Sequence, residues 1–215
     1  MTKDRETLVL QAAGVAGPGE PWWEAFFPDD LPTDWQLEYY VHHHSRLLLP
    51  ASVWAGAGDG PFGPWGEAVP AKLRLTLEWS PELPPEAGIA ALIHLNKELE
   101  GRAPAVVLGP MSADQAAAVE TALQSHNMDG TVVGGPAESC TVARAQEALW
   151  YPGRNEDGSG FWQVAPETDL DPMGWRELVE SLAADGGQGA TPVFLRTRPD
   201  RLSDFRTVAQ LLGVG

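Results

Sequence analysis

The sequence has one cysteine, Cys140, in 215 residues. That excludes an internal disulfide and is compatible with a reducing compartment. Cations are scarce: 14 Lys and Arg stand against 30 Asp and Glu, for a formal net charge of −16. Binding to nucleic acid or to an anionic membrane surface needs a basic face, so neither is expected as a partner. The acidity reads first as a solubility device and second as attraction for a cationic ligand. No apolar run approaches the roughly eighteen residues of a membrane span. The charged start MTKDRET carries no apolar signal segment. A cytoplasmic protein is the expectation.

Several chemical motifs are also missing. Residues 14–21, GVAGPGEP, contain glycines without the G-x-G-x-x-G spacing of a dinucleotide loop. No G-x-S-x-G elbow occurs, and Cys140 has neither a neighbouring His nor a C-x-x-C partner. Nucleophilic catalysis therefore has no support, and nothing calls for a cofactor.

What is present is a globular composition, with 43% hydrophobic residues, and many turn formers, 23 Gly and 19 Pro. The length fits a single domain over residues 1–215 with a sizeable core. Apolar runs at 7–14, 47–49, 105–108, 130–133, 161–164 and 192–196 read as strands. Residues 72–79, KLRLTLEW, give the clearest signal: Leu73, Leu75 and Leu77 alternate with polar residues. That strand belongs at an edge or lines a wet interior. Helices are expected over 33 to about 44, 86–100, 112–125 and 138–149, from Asp171 onward, and from Asp200 to Gly213. Thr33 with Gln36, and Ser112 with Gln115, have capping-box spacing. Residues 21–32 read as a Trp-rich loop folded back over the core, and 55–70 as a long Gly/Pro loop.

Alternation of strands and helices implies parallel strands joined by right-handed crossovers. The candidates are a small or incomplete (β/α) barrel of about seven mostly parallel strands and a doubly wound open sheet. A full eight-unit barrel needs about 250 residues. One or two units should therefore lack a helix, most readily around 55–70.

Five pieces bear on the choice: Val9 to Gly14, Trp22–Trp23, Phe26–Phe27–Pro28, Leu37–Glu38–Tyr39–Tyr40, and Leu47 to Trp54. Together they resemble the opening of the YecE-like family, an uncharacterised group of TIM-barrel-like proteins. The resemblance covers residues 9–54, about the first quarter of the chain, and implies the barrel. One departure bears on function. Where the family's second strand offers Glu and Asn, this chain has Leu48 and Pro50, while Ser52 and the aromatic Trp54 carry over.

In such a barrel the site lies at the C-terminal ends of the strands. Glu78 is the first choice for acid or base, since it leaves a strand beside Trp79. The plain alternative is a carboxylate on the polar face of an edge strand. Glu24 is the candidate second carboxylate of a glycosidase-like pair. Trp22, Trp23, Trp54, Trp79 and Arg196 are candidate ligand contacts, although a Trp-rich loop more often roofs a core. Gly109 and Gly134 end strands and offer N–H groups to an anion, or form ordinary turns. His42, His43 and His44 point about 100° apart on a helix, so they cannot share one metal. His94 and His126 are isolated. No metal site is expected.

The expectation is a divergent barrel that binds a small molecule or a protein partner without catalysis. The alternative is a hydrolase-like barrel acting on a sugar or phosphosugar through Glu78. A third possibility makes the aromatic loop a docking patch. The sequence does not fix the oligomeric state.

Overall fold

The computed structural model describes residues 8–17, 19–56, 69–99, 104–128, 132–134, 141–144, 148–151, 160–166, 169–185 and 189–215. These form one sheet of nine strands: β1 (Val9–Val15), β2 (Arg46–Leu49), β3 (Arg74–Trp79), β4 (Ala105–Leu108), β5 (Val132–Gly134), β6 (Thr141–Arg144), β7 (Ala148–Tyr151), β8 (Phe161–Val164) and β9 (Ala190–Leu195). Their order is β5-β4-β3-β2-β1-β9-β8-β7-β6. The seven strands from β5 to β8 are parallel, while β6 and β7 add an antiparallel hairpin at one side. Among the described residues, β5 and β6 stand at the two ends of that order, so the barrel is incomplete.

The helices are α1 (Pro21–Phe26), α2 (Gln36–Val41), α3 (Ala51–Trp54), α4 (Pro85–Glu98), α5 (Ala113–Ser125), α6 (Pro172–Asp185) and α7 (Pro199–Leu211). Among the described residues no helix is long and apolar enough to cross a membrane.

Strand alternation sorts the side chains into an inner and two outer layers. Ala13, Val15, Leu48, Val107, Tyr151, Phe161 and Phe194 form one cluster on the concave face. Residues one step away point outward. Leu47, Leu49, Leu75, Leu77, Trp79, Val106 and Leu108 pack under α1, α2, α4 and α5. Trp162, Val164, Val193 and Leu195 pack under α6 and α7. The polar face of β3 therefore lines the interior of the half-barrel. Strand β3 is not an edge, because β2 and β4 flank it.

The N-terminal stretch departs from its expected form. The expected loop 21–32 contains α1, because Pro21 occupies its first turn. Proline is well placed there, where its missing N–H costs nothing. The capping box at Thr33 does not form. Pro32 is the cap instead, and residues Thr33–Trp35 make a 3₁₀ turn before α2. Helix α2 stops at Val41, so His42 to His44 lie beyond it. The box at Ser112 does form: its N–H donates to Gln115 Oε1 at 3.0 Å, and its Oγ accepts from Gln115 N at 3.3 Å.

Tyr40 ties this stretch to the sheet. Its buried hydroxyl accepts from Gly14 N at 3.0 Å and donates to the carbonyl of Arg46. One side chain thus satisfies a backbone donor on β1 and an acceptor on β2. Burial pushes the Tyr40 hydroxyl pKa up, which keeps it protonated for both roles. Gly14 also lets the Trp22 ring lie against the strand, since a Cβ there would meet the ring at 2.6 Å.

Residues 138–149, expected as a helix, instead supply β6 and β7. Thr141 and Val142 are β-branched and suit the pleat better than a helix. The long loop 55–70 lies mostly outside the described residues, as does Cys140. Between β2 and β3 the described helix is the four-residue α3. Helix α7 ends as expected at Gly213, whose φ of 71° permits a Schellman closure. Val214 N then donates to Ala209 O at 2.9 Å, and Val214 O accepts from Leu10 N at 2.6 Å.

Gly88 makes the packing testable. A Cβ there would lie 2.2 Å from the buried Trp79 ring. Alanine in a helix interior normally gains about 1 kcal/mol over glycine. Overpacking a rigid indole costs about 1–3 kcal/mol, which outweighs that gain. Gly88→Ala is expected to destabilise by about 1–2 kcal/mol, roughly 3–6 °C in Tm by thermal denaturation. A rise in Tm would contradict the packing.

Candidate functional site

The polar inward face of β3 ends at Glu78, at the C-terminal end of the strand. Trp54 holds this end in place, its Nε1 donating to Glu78 O at 3.0 Å. Gly109, just after β4, closes the neighbouring turn by donating its N–H to Trp79 O at 2.9 Å. The backbone that presents Glu78 is thus fixed on both sides.

The Glu78 carboxylate reaches across the concave face. Its Oε1 accepts from Gln163 Nε2 on β8 at 3.1 Å, and its Oε2 accepts from Arg196 Nη2 at 2.7 Å. Arg196 follows β9 directly, and its N–H continues the ladder to Val164 O at 2.8 Å. The other arm of its guanidinium, Nη1, donates to Glu20. Glu20 is the residue between the β1 turn and α1. One arginine therefore joins carboxylates from the ends of β1 and β3, and an amide from β8 completes the group. The side chains of Arg196, Glu20 and Glu78 remain 23%, 16% and 14% exposed, so the tips are reachable from the mouth.

The electrostatics of Glu20 are set by burial. Desolvation raises its pKa above the usual carboxylate value, more than the nearby Arg196 charge lowers it. The neighbouring Glu78 charge adds to the rise. The cluster holds two carboxylates and one cation. Among the described residues, no group of three or more His, Cys, Asp or Glu is arranged to hold a metal.

The sequence-derived candidates separate in space. Glu78 and Arg196 come together. Glu24 does not join them: it is exposed and accepts from Gly19 N at 2.9 Å. The carboxylate at the mouth is Glu20, four residues earlier and one helical turn away. The sequence signal for it was its place at the end of the first strand, just before Pro21. Gln163 had no signal, since a lone amide in a strand carries no motif.

The four tryptophans are buried on the convex side. Trp22 stacks on Phe26 at 4.4 Å and meets Tyr40 edge-on at 5.2 Å. Trp23 meets Phe27 edge-on at 4.6 Å. Trp54 and Trp79 lie 5.5 Å apart, and Trp79 Nε1 donates to Leu83 O at 3.1 Å. Trp22 and Trp23 therefore belong to the core rather than to an exposed aromatic patch. His94 pairs with Glu98 at 3.4 Å, and His126 caps its own helix through Ala122 O at 3.0 Å.

The raised pKa of Glu20 has a signed consequence. The folded state holds this proton more tightly than the unfolded chain. Glu20 ionisation therefore erodes stability as pH rises from 4.5 through the raised folded value. Glu20→Gln abolishes that titration. Urea denaturation of both proteins between pH 4 and pH 8 is expected to show the variant gaining on the wild type as pH rises. A difference independent of pH would contradict the assignment. Comparison with protein-family models returns no match, and comparison with curated proteins returns none either.

Proposed function

We propose that the protein is a ligand-binding barrel, a divergent relative of the YecE-like group, that takes a small polyhydroxylated molecule at the mouth formed by Glu20, Glu78, Gln163 and Arg196. The observation that carries this reading is the sharing of Arg196 between two partly exposed carboxylates. Planar charged groups fixed in one geometry offer paired donors and acceptors, which vicinal hydroxyls match. The guanidinium also pairs with both carboxylates, which leaves neither as an unpaired nucleophile or base. Leu48 adds support. It occupies an inward position on β2 where the resembling strand type carries Glu, and it packs in the interior apolar cluster. The convex-side tryptophans support the site by holding its backbone, as Trp54 does at Glu78.

A second reading has one observation in its favour. The raised pKa of Glu20 beside Glu78 resembles the division of labour in a glycosidase pair, with one carboxyl protonated and one charged. In that hydrolase reading Glu20 is the acid, and Glu78 is the base or nucleophile once substrate displaces Arg196.

Calorimetric titration with a panel of mono- and disaccharides, alongside turnover of aryl glycosides, separates the two. The binding reading predicts saturable binding without turnover. Glu78→Gln removes a charge-assisted hydrogen bond worth about 1.5–3 kcal/mol, so Kd should rise roughly 10- to 100-fold. Turnover lost in both Glu20→Gln and Glu78→Gln would establish the hydrolase instead. Binding unchanged in Glu78→Gln would remove the mouth from consideration.

A further inference from the structure

The inward face of β3 carries Arg74, Thr76 and Glu78 in turn, because a strand alternates its side chains. On β2 the inward face carries Arg46 and then Leu48. The parallel register sets Arg46 directly beside Arg74, and Leu48 beside Thr76. Two arginines therefore stand next to each other, on strands about 4.8 Å apart, at the N-terminal end of the half-barrel interior. Arg74 is exposed and Arg46 half-buried.

Among the described residues no carboxylate lies within ion-pairing distance of either guanidinium, and neither side chain makes a hydrogen bond. By contrast, Arg176, Arg196, Arg198 and Arg201 each pair with a carboxylate, in a chain with 30 acidic and 14 basic residues. Like charges directly opposite on neighbouring strands destabilise a sheet. Burial, with the Arg74 charge next, lowers the Arg46 pKa, the direction expected of a cation without a counter-ion. Thr76 is one step deeper on the same face. It is 6% exposed, and its hydroxyl has no hydrogen-bond partner among the described residues. Buried hydroxyls normally find one. Its partner across to β4 is Ala105, which has no polar side-chain atom to offer.

A single bound anion relieves the repulsion and supplies the missing partner. The two guanidinium forks offer paired N–H donors and two positive charges, and the hydroxyl adds a donor from a third direction. A phosphate monoester near pH 7 matches them, with a charge of about −1.5 to −2 and three acceptor oxygens. A carboxylate, with one charge and two oxygens, leaves part of the set unused.

We propose that Arg46 and Arg74, with the Thr76 hydroxyl behind them, form a phosphate-binding site at the N-terminal end of the half-barrel interior. The site shares no residue with the Glu78 mouth, which lies at the other end of the strands. It does not depend on the function proposed for that mouth.

Titration of the full chain with sodium phosphate at constant ionic strength, followed in ¹H–¹⁵N spectra, tests this. The expected result is saturable shifts centred on residues 45–48 and 73–76. Arg74→Met, at an exposed position, should raise Kd roughly 10- to 100-fold. Arg74→Glu should abolish binding, because the introduced carboxylate takes the place of the phosphate beside Arg46. In phosphate-free buffer that variant should also melt at a higher temperature than the wild type, since repulsion across the strands becomes attraction. Parallel titrations with methyl phosphate and sodium acetate separate the ligand classes. Methyl phosphate binding as tightly as inorganic phosphate assigns a phosphate ester, and weaker binding assigns the free ion. Acetate binding as tight as phosphate overturns the proposal. So do shifts that never saturate, an unchanged Kd in both variants, or an Arg74→Glu protein that is no more stable than the wild type without phosphate.

Discussion

The contact between Glu78 and the pair Arg196 and Gln163 is the constraint on which the architecture turns. Four strand steps separate β3 from β8 in the sheet order. At about 4.8 Å per step, a flat sheet would hold them roughly 19 Å apart. The side chains meet at 3.1 Å, so the sheet curls until its concave face nearly closes. Arg196 then becomes the keystone of the mouth, because its two arms donate to Glu20 and to Glu78. All three groups are partly exposed, which places the strength of the network between a surface pair and a buried one.

Curling creates an interior, and apolar side chains pack within it. Seven apolar side chains from β1, β2, β4, β7, β8 and β9 occupy its middle. Beyond the buried Thr76 in the middle of β3, polar groups gather at its two ends. Glu78, Gln163 and Arg196 take the C-terminal end. Arg46 and Arg74, direct partners across β2 and β3, take the N-terminal end. Burial, with the charge of Arg74 next, lowers the pKa of Arg46. The outside of the sheet is divided into two cores, one under α4 and α5, the other under α6 and α7. Large indoles such as Trp79 and Trp162 fill the space between strands and helices on each side. The closeness of Gly14 and Gly88 to such rings shows how little slack remains.

The parts of this fold that were legible in the sequence are those with a strict period. The alternation of 72–79 identified β3, but it left its polar face open between a sheet edge and a wet interior, and so left the direction of Glu78 open too. Strand–helix alternation after residue 86 gave α4, β4, α5, β8, α6, β9 and α7 close to their observed places. The hairpin of β6 and β7 was not legible, because its segment also accommodates a helical reading. Helix α1 was hidden by its prolines, although Pro21 at the first turn starts a helix as readily as prolines end one. That reading hid Glu20 as well, since only the fixed entry to α1 aims it at Arg196. Gln163 depended wholly on curvature, which no local pattern encodes. The tryptophans were legible as buried groups, but the face they would cover was not.

The curl itself is open to direct observation. Proton nuclear Overhauser spectra can be read for a cross-peak between the Gln163 side-chain amide and the Glu78 side-chain methylenes. The incomplete barrel predicts that cross-peak, because the two groups are in hydrogen-bond contact. A Gln163 amide that shows cross-peaks only to its neighbours on β7 and β9 would mean a flat sheet and would contradict the account.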